Sequence, residues 1–224
     1  MCQGVFYLAR IKAAIRKAAK QQILNHNVGT DVIIKKQRSL PKYLTFEEIQ
    51  KLKATPTKSR ATKDAFLFSC FSGLRFSDVK ALTWDQVRYE NNQAFLLFTQ
   101  EKTKEAESLP LSEQAVEILN AQKEAQPSIF FHKQFKESII FRIPNKSGVA
   151  YGLKRWAKRA GIAKNISFHV GRHTFATLAL TYGADLYTVS KLLGHQSIQT
   201  TEIYAKVIDA TKRNAVNALP KLQP

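Results

Sequence analysis

His169-Val170-Gly171-Arg172-His173, and after it Leu193-Gly194-His195 followed by Thr200-Thr201-Glu202-Ile203-Tyr204-Ala205, carry the reading of this 224-residue chain. His169, Arg172 and His173 fall at i, i+3 and i+4, so on a helix they share one face. Two histidines four residues apart also suit zinc, but that motif needs a glutamate after the first histidine, and Val170 stands there. No nearby carboxylate or cysteine completes a tetrahedral shell. The reading is therefore a site with no metal and no cofactor. Taken alone, the cluster is also compatible with core or surface histidines beside a solvated guanidinium.

Working outward, apolar periodicity makes most of the chain helical. Leu8, Ile11, Ile15, Ala18 and Ala19 recur at helical spacing and predict one amphipathic helix from Leu8 to Leu24. Asn25 to Leu40, with Gly29 and Lys35-Lys36-Gln37-Arg38, reads as a basic linker. Thr45-Phe46-Glu47-Glu48 is a capping box opening a helix to about Lys53. Further helices are predicted from about Ser59 to Ser72, stopped by Gly73, and from Ser77 to Leu82. Ala94 to Thr99 and Glu107 to Leu111 are strand-like around a polar turn, which gives a small hairpin. Beyond Ser112 the pattern is helical: 113–123, 149–160, 169–182, 186–193, 198–205 and 207–219. The expected fold class is mainly α with a small antiparallel β-hairpin. Cys70, inside Phe66-Leu67-Phe68-Ser69-Cys70-Phe71, reads as a small core residue.

Lys and Arg number 35 against 17 Asp and Glu, a formal charge of +18. Such an excess repels itself unless a polyanion relieves it; nucleic acid is the first candidate, an anionic membrane the second, and an unusually basic soluble protein the plain alternative. No apolar run reaches the roughly 18 residues of a membrane helix, so no membrane span is expected, and with nucleic acid as the favoured polyanion the expected partners include no membrane. Arg10, Lys12, Arg16 and Lys17 occupy the place where the apolar part of a secretory leader would lie. A cytoplasmic protein is the expectation.

Far upstream stands Phe71-Ser72-Gly73-Leu74-Arg75-Phe76-Ser77-Asp78, and between lies Glu101-Lys102-Thr103-Lys104, leading to Leu109-Pro110-Leu111. The order Gly-Leu-Arg-x-x-Asp, a hairpin lysine, His-x-x-Arg-His-Thr and Leu-Gly-His, with Tyr204 nine residues after His195, resembles the signature of the tyrosine recombinases, the phage integrase family. The resemblance covers about Pro41 to Leu219, and the phrase around Arg75 is similar to integrases of conjugative transposons. It implies the tyrosine recombinase catalytic-domain fold over 41–224. Residues 1–24 would then be the last helix of an N-terminal core-binding domain, joined by a linker over 25–40.

The resemblance also assigns roles. Arg75 and Arg172 would clamp the scissile phosphate, since a guanidinium fork matches phosphate geometry. His195 would donate a further hydrogen bond, and His169 would contact the phosphate and help take the tyrosine proton. Lys102 would protonate the leaving 5′-oxygen, with Lys104 its competitor. Tyr204 would attack to form a 3′-phosphotyrosyl intermediate, conserving bond energy for religation. Asp78 would orient the cations, and His173 would be a supporting, buried residue. Tyr182 and Tyr187, off the family spacing, read as packing residues. The implied partners are double-stranded DNA and further copies of the chain on DNA in a tetrameric synapse, with accessory DNA-bending proteins, in the bacterial cytoplasm at the nucleoid. The competing readings are a type IB topoisomerase-like nicking-closing enzyme, a non-catalytic DNA-binding module, and a metal-dependent nuclease, for which the sequence shows no acidic cluster.

Overall fold

The computed structural model describes residues 3–26, 40–91, 93–99, 106–125 and 138–217. The chain divides into two units, Met1–Ser39 and Leu40–Pro224. In the first, helix α1 (Gln3–Lys20) is amphipathic and ends in a turn with Gln22 at φ 58°. It starts and stops a few residues earlier than the apolar spacing predicts.

The second unit is built around α3 (Arg60–Ser72). Ser59 opens it by accepting from the Thr62 amide at 3.2 Å, and Gly73 closes it at φ 73°, the left-handed region a side chain resists. Ala65, Phe66, Leu67, Phe68 and Cys70 are all buried, as in a helix enclosed on every side. α2 (Phe46–Ala54) precedes it and carries the predicted capping box: the Thr45 hydroxyl accepts from the Glu48 amide at 3.3 Å, and Glu48 accepts from the Thr45 amide at 2.8 Å. Lys164, distant in sequence, pairs with the same carboxylate at 2.6 Å.

After α3 come the short α4 (Phe76–Ala81), then β1 (Val87–Glu90), β2 (Gln93–Thr99) and β3 (Ala106–Pro110) in an antiparallel sheet of order β1-β2-β3. Ala94, Leu96 and Phe98 of β2 point to the core, the period-two pattern expected of a half-buried strand. The predicted hairpin is thus β2–β3, with Leu96 opposite Leu109, and β1 is an added edge strand pairing Val87 with Leu96. α5 (Glu113–Ala125), α6 (Lys146–Arg159), α7 (Phe168–Thr181), α8 (Leu186–Leu192) and α9 (Glu202–Asn217) follow. α9 corrects the expectation of two helices over 198–205 and 207–219. Residues 198–200 form a single 3-10 turn, and Tyr204 sits in the first turn of one continuous helix. The described helices include none long and apolar enough to cross a membrane.

α3 packs on both α5 and α7. The α3–α7 approach is close because Gly171 faces Ser69; a Cβ at 171 would lie 3.0 Å from the Ser69 hydroxyl. Phe66 meets Trp156 and Phe168 edge-on at 6.2 and 6.0 Å, joining α3, α6 and α7. A smaller apolar cluster of Ala176, Val189, Leu193 and Tyr204, flanked by Phe175 and Ile203, ties α7, α8 and α9 together.

Gly73 is constrained twice: by its positive φ and because a Cβ there would fall 2.6 Å from the Phe175 ring. Gly73→Ala is expected to cost roughly 2–4 kcal/mol, from left-handed strain plus overpacking. The measurement is a lowered urea midpoint with an unchanged slope.

Candidate active site

The site is assembled from the ends of helices. α8 stops in a paired-hydrogen-bond turn spelled Leu193-Gly194-His195. The Gly194 amide donates to Lys191 O at 2.8 Å, the His195 amide donates to Ser190 O at 3.0 Å, and Gly194 takes φ 55°. The carbonyls at the end of that turn face cations. Arg172 donates through Nη2 to Leu193 O, and Arg75 donates through Nη2 to Gly194 O at 3.3 Å. Arg172 also donates through Nη1 to Gly73 O at 2.9 Å, at the end of α3. Two helix C-termini, each with partial negative charge, therefore hold one guanidinium.

Arg172 is 3% exposed and Asp78 is 3% exposed. Asp78 Oδ2 lies 3.9 Å from Arg75 Nη1, and Ser77 donates to Asp78 Oδ1 at 3.4 Å. Two guanidinium charges thus stand against one buried carboxylate. Burial, then Arg75, pushes Arg172 down to about 10, while Tyr204 and Asp78 pull it back. It remains a cation at neutral pH. A cluster with surplus positive charge and forked donors suits an oxyanion.

Tyr204 is 2% exposed, and its hydroxyl lies 2.8 Å from Nδ1 of His173. Burial raises the phenol above its usual range, and Arg172 opposes that shift. His169 is exposed and meets His173 edge-on, with ring centroids 4.3 Å apart. Nδ1 of His195 lies 2.8 Å from the Thr201 hydroxyl. Burial first, then His169 and Arg172, lowers His173 to about 4. Burial first, then Arg172 and Arg75, does the same to His195. Both rings are neutral at physiological pH, so each has one nitrogen to donate with and one to accept with.

With this geometry established, the model of the family described as "Phage integrase family" matches residues 42–211. The chain belongs to the phage integrase family, the tyrosine recombinases. It is 32% identical over 210 residues to the tyrosine recombinase XerD of Lacticaseibacillus casei, covering 88% of this chain and 71% of that one. It is 31% identical over 182 residues to the tyrosine recombinase XerC of Chlamydia caviae, covering 76% of this chain and 56% of the relative. The fold is similar to that of lambda integrase (residues 75–356), solved as a dimer bound to a core site. There the TM-score is 0.68 at 20% identity, over 88% of this chain and 70% of that one.

Five of the six predicted site residues of this tyrosine recombinase fall in or beside one cluster: Arg75, Arg172, His195 and Tyr204, with His169 at its edge. Lys102, like Lys104, lies outside the described residues. The two supporting residues are there too: Asp78 against Arg75, and His173 directly on the Tyr204 hydroxyl. Tyr182 and Tyr187 are not packing residues. They are 75% and 62% exposed, and Lys191 stands 5.4 Å from the Tyr187 ring centroid. Thr201, fully buried against His195, has no role in the sequence reading; its place three residues before Tyr204 is the one signal that could have found it.

The two neutral histidines make folding pH-dependent. In the unfolded chain, imidazoles titrate near 6.5; in the fold, His173 and His195 resist protonation to about 4. Their contribution is fully present above about pH 6.5 and is lost as pH falls towards 4, because the unfolded chain binds the extra protons. A series of urea midpoints across that window is expected to fall with pH, and His195→Asn is expected to make the decline shallower.

Proposed function

We propose that this chain is a site-specific DNA recombinase that cuts and rejoins double-stranded DNA through Tyr204. The observation that carries the reading is the Tyr204 hydroxyl hydrogen-bonded to His173, the residue next to the buried Arg172, in a cluster where guanidinium charge exceeds carboxylate charge. A phosphodiester repels nucleophiles, so its non-bridging oxygens must be neutralised as the phosphorus becomes five-coordinate. Arg75 and Arg172 supply that charge, and His195 adds a neutral donor. The Tyr204 oxygen attacks phosphorus, its proton passing to the histidine pair His173 and His169. The bond from phosphorus to the 5′-oxygen breaks, and Lys102 protonates the leaving oxygen. The product is a 3′-phosphotyrosyl linkage and a free 5′-hydroxyl. Attack by the 5′-hydroxyl of a second strand reverses the step and completes the exchange.

Exposed Lys146, Lys154, Arg155, Lys158 and Arg159 on α6 give the duplex a basic face to lie on. We assign α1 to a DNA-clamping N-terminal domain, with residues 25–40 as the linker. A tetramer of four such protomers on two duplexes, aided by DNA-bending proteins, is the assembly in which strands would exchange. Its place in a bacterium would be the cytoplasm, on the nucleoid.

The test is a nicked suicide duplex that traps the covalent intermediate. Wild-type chain is expected to give a protein–DNA adduct, including in excess chelator, and Tyr204→Phe is expected to give none. An adduct surviving in Tyr204→Phe would overturn the assignment. Arg75→Ala is expected to lose about 3 kcal/mol of transition-state stabilisation, read as the rate of adduct formation. Arg172→Ala should also lower stability, because it strips donors from Gly73 O and Leu193 O. Lys102→Ala is expected to recover on a substrate with a 5′-bridging sulfur, which leaves without a proton; Arg75→Ala is not.

A further inference from the structure

We propose that Thr201 is a positioning residue for cleavage: its hydroxyl donates to Nδ1 of His195 and so keeps the imidazole proton on Nε2, the ring edge left for the phosphate. The proposal rests on the reading that His195 donates to the scissile phosphate.

Thr201 directly precedes α9, where a threonine hydroxyl usually accepts from an amide of the first helical turn. Here that duty is discharged by the backbone. Thr201 has helical dihedrals, φ −88° and ψ −25°, and its carbonyl accepts from the Tyr204 amide at 2.9 Å. The hydroxyl turns instead to His195 Nδ1, at 2.8 Å.

The direction of that hydrogen bond follows from burial. Thr201 is 0% exposed, so no water takes its proton. Among the described residues, Nδ1 is the hydroxyl's hydrogen-bond partner. If Nδ1 carried a proton and donated, the hydroxyl proton would be buried without an acceptor, a costly arrangement. If the hydroxyl donates, every proton has a partner and Nδ1 is the bare nitrogen. A neutral ring then has its proton on Nε2. This is also the tautomer the chemistry needs. An unprotonated Nε2 would turn a lone pair towards the phosphate oxygens, whereas Nε2–H donates to them. Burial first, then Arg172 and Arg75, keeps the ring neutral, so the single proton must be on the correct nitrogen. One residue therefore holds the nucleophile's helix by its carbonyl and sets the phosphate donor by its hydroxyl.

Thr201→Val keeps the side-chain shape and removes the donor; Thr201→Ser keeps the donor. Nitrogen NMR of the ¹⁵N-labelled chain reads the tautomer without any reaction. Wild type and Thr201→Ser are expected to show a protonated Nε2, and Thr201→Val a mixture of tautomers. On the suicide duplex, Thr201→Val is expected to form adduct about tenfold more slowly at unchanged DNA affinity, with Thr201→Ser restoring most of the rate. A wild-type ring protonated on Nδ1 overturns the proposal, as does a wild-type rate in Thr201→Val. So does a Thr201→Ser variant as slow as Thr201→Val, which would make the role one of packing. Should Thr201→Val fail to fold, the wild-type tautomer decides alone. Absence of any adduct from wild-type chain would instead defeat the functional reading, and the NMR result would still decide the role of Thr201.

Discussion

The burial of Arg172 between the C-terminal carbonyls of two helices is the constraint on which the site depends. A guanidinium removed from water costs several kcal/mol unless its protons are met. Gly73 O and Leu193 O meet them, and both belong to turns that end a helix. The same two turns position the neighbours. Gly73 leads through Leu74 to Arg75 at the N-terminus of α4, and Leu193-Gly194 leads to His195. Arg75 then closes the arrangement by donating to Gly194 O. Geometry that would otherwise rest on long flexible side chains is thereby fixed by backbone turns, each specified by a glycine.

α9 joins this frame through its first turn. Tyr204 belongs to a small apolar cluster with Ala176, Val189 and Leu193, separate from the main core around Phe66 and Trp156. The first turn of α9 is held by its apolar contacts and by two histidine hydrogen bonds, His173 to Tyr204 and His195 to Thr201. Elements held by few buried residues open at lower cost than the core they adjoin. Tyr204 therefore sits in a cluster of its own, beside the main core rather than within it.

Much of this was legible in the sequence because it is written locally. The capping box at Thr45, the stop at Gly73 and the turn at Gly194 are signals within a few residues, and the helices they bound follow. The alternation in Ala94–Phe98 marked β2. β1 was missed because Val87-Arg88-Tyr89-Glu90 is an edge with one partly buried residue and three exposed ones, so no apolar alternation exists to read. α9 was divided in two although nothing from Gln196 to Leu219 is a glycine or proline; the continuous helix is what that absence favours. The spacing of Arg75, His169, Arg172, His195 and Tyr204 named the site residues, but not their partners. That His173 holds the Tyr204 hydroxyl, and Thr201 the His195 ring, depends on how α7, α8 and α9 pack. No local pattern encodes that packing.

The imbalance of two guanidiniums against Asp78 has an energetic meaning beyond catalysis. In the free protein, Arg75 and Arg172 repel each other across a partly desolvated gap, and that repulsion is part of what lowers Arg172. An anion entering the gap relieves a strain already present, so part of the free energy of phosphate binding is released by the fold rather than made at the new contact. Linkage makes the relation reciprocal: whatever fills the gap tightens the whole domain. On the proposed function, a backbone phosphate would work as a missing structural element of the protein, and the domain would be most completely folded while it holds the bond it would cut.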